Sequence, residues 1–172
     1  MTDEPIRVPS GLTTEGLLGR RYVARAIDSI IIGALAVAAL SLLSRMRPQT
    51  TGGLLAILLS LFALLILWIG YGALFESSPW QATLGKRLMS LRVYDSEGRR
   101  LKVPQAALRN IVKDGPFLLL GLIPAGRVLS FVWLGCHLVV LHRSPVYQAI
   151  HDRAAKTWVA APEATIQLHL TS

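Results

Sequence analysis

Apolar residues in this chain come in long blocks separated by short polar stretches, without the alternation expected of half-buried strands. The clearest block, GGLLAILLSLFALLILWIGYGALF from Gly52 to Phe75, carries no charge. As a helix rising 1.5 Å per residue it would be roughly 36 Å long, enough to cross a bilayer with some tilt. An earlier block runs from Arg21 to about Leu43 and stops at SRMRPQTTGG, where Pro48 and the Gly52–Gly53 pair would break a helix. Before it, residues 1–19 hold Pro5, Pro9, Gly11 and charges without a period, which predicts a loose arm.

The segment 76–103 is too polar to span. Within it LRVYDSEGRRL alternates around a turn at Asp95 to Gly98 and predicts a small β-hairpin, preceded by a short helix carrying LGKRL. The remaining apolar stretch admits two topologies. Phe117 to Leu141 can be one third span, which would put Pro124 and Arg127 near the bilayer centre, an arginine there costing about 2.5–3.5 kcal/mol. Alternatively the run breaks at PAG into helices near 105–123 and 127–142. Four spans leave only Arg45, Arg47 and Arg127 of the eighteen Lys and Arg on the outer side, so charge asymmetry favours four. DGP at Asp114 to Pro116 is a competing breaker that could end an interfacial helix at Lys113. The predicted fold is therefore an all-α membrane bundle of four, alternatively three, transmembrane helices (about 22–44, 53–75, 105–123 and 127–142). A cytoplasmic β-hairpin lies between helices 2 and 3, within a domain over 20–160 and before a tail at 161–172.

Composition agrees with that picture and narrows the function. Hydrophobic residues make up 52% of the chain against 16% charged, and mean hydropathy is +0.49, which is wrong for a soluble domain of this length. The net charge of +8 comes with no zinc spacing or RNA-binding motif, so the expected partner is a bilayer with anionic headgroups and not nucleic acid. Cys136 is the single cysteine, so no internal disulfide is possible, and it reads as a small packing residue. His137, His142 and His151 lack a metal-ligand spacing, Gly85–Lys86 lacks the upstream glycine of a phosphate loop, and no nucleophile–base set is spaced as a motif. The expectation is a protein that is not an enzyme and has no cofactor.

The chemistry lies in a few charges at the ends of apolar blocks. Arg21 and Asp28 are seven residues apart, hence about 10.5 Å apart along a helix and within about 20° of one face. Asp28 stands where lipid cannot solvate it and needs a partner or water. Either Arg25, one turn back, forms an interfacial pair with it, or a cation from another helix meets it inside the bundle, for which Arg109 is the candidate. RNIVKDGP puts Arg109 and Lys113 on one face, with Asn110 and Asp114 on the next. Asp152, just after the last block, returns to the membrane face that holds Arg21 if there are four spans. A homodimer or larger complex would enlarge the limited interior of four helices, and Ala26, Ser29, Gly33 and Ala36 make a small-residue stripe that permits close approach.

Taken in order, RYVARAID, TLGKRLMSLRVYDSEGRRL, ALRN and HDRAAKTWV resemble the RDD family of bacterial integral membrane proteins, over roughly Arg20 to Val159. The resemblance puts the family's signature arginine and two aspartates on Arg21, Asp28 and Asp152. Lys156 stands where the family commonly has glycine, adding a cation near Asp152. What the resemblance implies is a multi-pass protein of the bacterial inner membrane with both termini cytoplasmic, and a role in cation/proton or small-solute transport that would use buried Asp/Arg pairs. The alternative role is a non-catalytic accessory or scaffold subunit of a larger membrane complex.

Overall fold

The structure is a computed structural model that describes residues 8–45, 53–121 and 126–162. The expected breaks at 46–52 and at 122–125, the side chain of Arg127, the first seven residues and the tail beyond 162 lie outside the described residues. Four long helices carry the chain: α1 (Leu18–Arg45), α2 (Gly53–Ser77), α4 (Val103–Gly121) and α5 (Gly126–Arg143). Two short ones, α3 (Leu84–Leu88) and α6 (Ile150–Ala154), accompany strands β1 (Leu12–Thr13), β2 (Arg92–Asp95) and β3 (Thr157–Pro162).

Two stretches, Leu18–Leu42 in α1 and Leu58–Ser77 in α2, are long and apolar enough to cross a membrane. Their large side chains mostly point outward, Ile30, Val37, Leu59 and Phe62 among them. That arrangement costs a great deal in water and nothing in lipid. The buried side chains gather instead at one end of the bundle, where Leu17, Ala24, Leu91, Val93, Leu101 and Val159 form a core beneath the sheet.

α4 and α5 are separate helices that pack side by side, which one straight helix from Phe117 to Leu141 would not allow. Asp114–Gly115–Pro116 does not stop α4 either, which continues through Pro116 to Gly121. Proline is tolerated inside such a helix where neighbours answer the freed backbone groups. α5 packs directly on α4, with Ser130 Oγ donating to the carbonyls of Phe117 (3.2 Å) and Gly126 (3.1 Å). Gly126 lies so close to the Leu120 backbone that a β-carbon would collide with it.

The β region expected after α2 is present, and its turn falls at Asp95 to Gly98. Asp95 Oδ1 accepts from the amides of Glu97 (2.9 Å) and Arg99 (2.8 Å), and Gly98 takes a positive φ of 77°. The second strand of the predicted hairpin is not formed, residues 99–102 lying outside any strand, and β2 takes its partner from beyond α6 instead. β2 pairs antiparallel with β3 from Arg92↔Ala160 to Asp95↔Thr157, and β1 pairs on its other edge at Leu12↔Pro162 and Thr13↔Ala161, giving the order β1-β3-β2. Residues 12–13 of the arm expected to be loose are thus held in a sheet, because β3 is central and would otherwise expose an unpaired edge. Cys136, expected to be a packing residue, is exposed on α5.

Lys156 turns the chain from α6 into β3 with φ of 51°, a conformation that favours glycine. Its side chain is exposed and makes no ion pair with Asp152 among the described residues, so it leaves the geometry at Asp152 unaltered. Lys156→Gly is expected to raise stability by roughly 0.5–1 kcal/mol, the strain relieved outweighing the added freedom of the unfolded chain. Thermal unfolding of the two solubilised proteins at one pH checks it, and a lower midpoint for the variant would contradict it.

Candidate functional site

The buried charges lie at the same end as the sheet, on the first three turns of α1, the last turn of α2, the middle of α4 and the short helices α3 and α6. Asp28 on α1 is buried, and its partners are three hydrogen-bond donors. Tyr71 OH (2.8 Å) and the Gly85 amide (2.8 Å) donate to Oδ1, and Thr83 Oγ1 (2.6 Å) donates to Oδ2. Tyr71 OH in turn accepts from the Leu84 amide at 3.1 Å. Asp28 therefore fastens the polar start of α3 onto α1. Gly85 is required there, since a β-carbon would strike the Ala24 carbonyl and come within 2.9 Å of Asp28 Cγ.

Both partners expected for Asp28 are engaged elsewhere. Arg25 pairs with Asp114 at 2.5 Å. Arg109 is fully buried and bridges two acids, Glu76 through Nη1 (2.6 Å) and Asp152 through Nη2 (2.6 Å) and Nε (3.1 Å). Three neutral donors satisfy the hydrogen-bonding capacity of Asp28, which leaves both cations to other acids. A fork-shaped guanidinium is better matched to two carboxylates with bidentate reach.

Asp152, on α6, is the centre of this arrangement. Its Oδ1 accepts from Arg109, while Oδ2 accepts from Arg21 (2.7 Å) and from the Ala149 amide (3.1 Å). Arg21 also donates to the Tyr147 carbonyl. Glu76 closes the other side, with Oε1 taking Arg109 and Lys86 and Oε2 taking the Asn110 amide at 3.0 Å. The result is a row of alternating sign, Arg21, Asp152, Arg109, Glu76 and Lys86, drawn from α1, α6, α4, α2 and α3. Gly72 makes room for it, because a β-carbon there would overlap the Asn110 side chain. Burial alone would raise the Asp152 carboxyl, but Arg109 and Arg21 outweigh it and hold it well below the usual carboxylate range.

Lys86 loses its proton well below the ordinary lysine range. Burial lowers its ammonium to about 7, with Glu76 opposing and Arg109 and Lys113 adding to the fall. Since the folded value lies below the unfolded one near 10.4, the unfolded chain binds the extra proton between pH 7 and 10, and stability rises with pH across that window. The unfolding midpoint of the solubilised protein is expected to climb from pH 7.5 to 9.5, and Lys86→Met to abolish most of that climb. An equal climb in the variant would assign it to another group.

Against this row, and lined in part by Arg21, Lys86 and Arg109, lies a cavity of about 430 Å³ bounded by α1, α2, α4, α5 and α6. One corner is a triad in which Arg25 and Lys113 (3.3 Å) share the carboxylate of Asp114, with Lys113 also donating to Asn110 Oδ1 at 2.7 Å. The opposite wall has Trp133, His137 and His151. His151 is buried, and burial pushes its imidazole well below the usual range despite the neighbouring Asp152.

The structure thus brings Arg21, Arg109 and Asp152 into one network and Lys113 and Asp114 into the adjoining triad, and gives Asp28, which lines the same cavity, a hydrogen-bonded latch of its own. Glu76, Lys86, Tyr71, Thr83 and His151 were not anticipated. Only Glu76 left a trace in the sequence, as the single acid in α2, one turn after Gly72. Among the described residues no cluster of three or more His, Cys, Asp or Glu is placed to hold a metal ion.

No curated protein and no solved structure matches the chain. The family model of the RDD family does match, over residues 16–156. That range takes in the whole row from Arg21 to Asp152 as well as the latch at Asp28, and the chain belongs to the RDD family.

Proposed function

We propose that this RDD-family chain is a multi-pass protein of the bacterial inner membrane that binds a small anionic solute in the cavity between α1, α4 and α5, as the binding step of transport. In this reading all four long helices cross the bilayer, and the sheet, the arm and the C-terminal segment lie on the cytoplasmic side, where most of the Lys and Arg then fall. A tag after residue 162 that is protected from protease in intact cells and cleaved in inverted vesicles is the expected result for that orientation.

The observation that carries the solute reading is the cavity itself, which meets two cations sharing one carboxylate at Arg25, Asp114 and Lys113. Ionisable groups held at that depth favour a charged ligand or path over simple packing. Cation/proton exchange at Asp28 is less well supported, because Tyr71, Thr83 and Gly85 already occupy both of its oxygens. Trp68 and Trp133 line the cavity and give a direct readout. Titration with methyl phosphate or acetate is expected to produce a saturable change in tryptophan fluorescence, which sodium and potassium do not produce and Lys113→Gln removes. Sodium-dependent proton flux in proteoliposomes, lost in Asp28→Asn, would instead support exchange.

The accessory-subunit reading has one observation in its favour: the row from Arg21 to Lys86 is satisfied within the chain and so serves packing as it stands. Stoichiometric co-purification of a second membrane protein from native membranes, with no fluorescence response to anions, would favour it.

A further inference from the structure

Three polar atoms on the cavity wall have no protein partner among the described residues: Trp133 Nε1, His137 Nε2 and His151 Nδ1. Both histidines are buried, and their rings stack with centroids 5.1 Å apart. His137 Nδ1 lies 3.3 Å from the Trp133 carbonyl, and His151 Nε2 lies 3.5 Å from Asp152 Oδ1. The carbonyl takes the ring N–H of His137 and the carboxylate draws that of His151 to Nε2, so the unpartnered nitrogens of the neutral imidazoles are acceptors, whereas the indole N–H is a donor. Buried polar atoms are seldom left unpaired. Three on one wall specify a ligand that donates two hydrogen bonds and accepts another.

Charge and shape narrow the class. The corner of Arg25, Asp114 and Lys113 keeps one positive charge, matched by a monoanion. The apolar wall runs out to the surface of the bundle, for Tyr22 (40% exposed), Phe117 (40%), Leu134 (46%) and Leu138 (37%) all line the cavity. α2 packs on α4, α1 on α2 and α3, and α5 on α4, whereas α1 and α5 scarcely touch, so the cavity opens sideways between α1 and α5. A ligand with an acyl chain can leave its tail there, facing the same medium as the exposed side chains of the spans.

Resting on the anionic-solute reading above, the geometry points to a glycerophospholipid whose headgroup is a phosphodiester bearing free hydroxyls. Its phosphate sits on Arg25 and Lys113 and accepts from Trp133, its hydroxyls donate to His137 and His151, and its chains lie along Leu134 and Leu138. A phosphodiester carries the single charge the corner needs, and a polyol beyond it supplies the donors. The bilayer supplies the chains.

The test uses the full chain in phosphatidylcholine nanodiscs doped with phosphatidylglycerol or with phosphatidylethanol, a phosphodiester without hydroxyls, and native mass spectrometry to count retained lipid. One phosphatidylglycerol per chain is expected, retained tenfold or more over phosphatidylcholine and at least threefold over phosphatidylethanol. Lys113→Gln is expected to reduce both anionic lipids about tenfold, and His137→Leu to erase the preference between them. Equal retention of the two anionic lipids by the unaltered protein overturns headgroup recognition while leaving an anion site. Equal retention of all three overturns both. Release of phosphatidylglycerol by millimolar glycerol 3-phosphate would assign the site to a soluble ester and overturn the lipid. The comparison in the unaltered protein decides the matter even if a variant fails to fold.

Discussion

Asp152→Asn is expected to destabilise the protein by about 3–5 kcal/mol, the range for removing one partner of a buried ion pair. The carboxylate takes four donors, from Arg109 twice, from Arg21 and from the Ala149 amide. An asparagine of the same shape offers one acceptor oxygen and turns an NH₂ group towards a guanidinium. Arg109 would keep Glu76, but Arg21 would be left with the Tyr147 carbonyl, and the chain's end would lose its tie to α1. Denaturant unfolding in bicelles measures the loss, with exposed Arg153→Gln as a surface control expected to change little. A loss below about 1 kcal/mol would mean that these charges are solvated and that the row does not hold the helices together. The folded carboxyl is depressed, so its contribution is complete above the unfolded value near 3.9 and disappears as pH falls through the folded one. In acid the variant and the parent should therefore converge.

Gly85→Ala is expected to cost about 1–3 kcal/mol, as overpacking a close contact does. The added methyl would meet a backbone carbonyl, which cannot rotate away, and so α3 must lift from α1. Lifting it breaks the Gly85 amide bond to Asp28 and draws Thr83 with it, and Lys86 on the same short helix moves off Glu76. The variant should show faster amide exchange confined to residues 83–91 as well as lower stability. Unchanged exchange there would indicate that the helix tolerates the methyl in place. Asp28→Asn, by contrast, keeps an oxygen for Tyr71 and Gly85 and can donate to the Thr83 hydroxyl, so it should be milder.

The fold was legible where lipid dictates it. An uncharged run of helix length has one physical solution in a bilayer, and α2 follows from that alone. That Asp152 could return to the face holding Arg21 was legible from a four-span reading, but a solvated carboxylate fitted the sequence as well, and only the structure pairs the two. The partners of Asp28 were not legible, because two of the three come from a polar segment fifty-odd residues away and one is a backbone amide, which no side-chain pattern reveals. Glu76 was hidden for a different reason: an acid at the end of a span reads as solvated, and only the arrival of Arg109 from α4 shows that it is buried. β3 was missed because TWVAAP is short and buried from Thr157 to Ala161, with no alternation to mark a strand.

The position of β3 between β1 and β2 also orders the protein's biogenesis. Both neighbouring strands are synthesised before it, as are the four long helices. During translation, then, Arg21 and Arg109 reach the insertion machinery well ahead of the aspartate that will neutralise them. The polar end is completed only after the ribosome has delivered residues 152–162, and a pulse-chase assay should see protease resistance arrive as a late, single step after membrane insertion is finished.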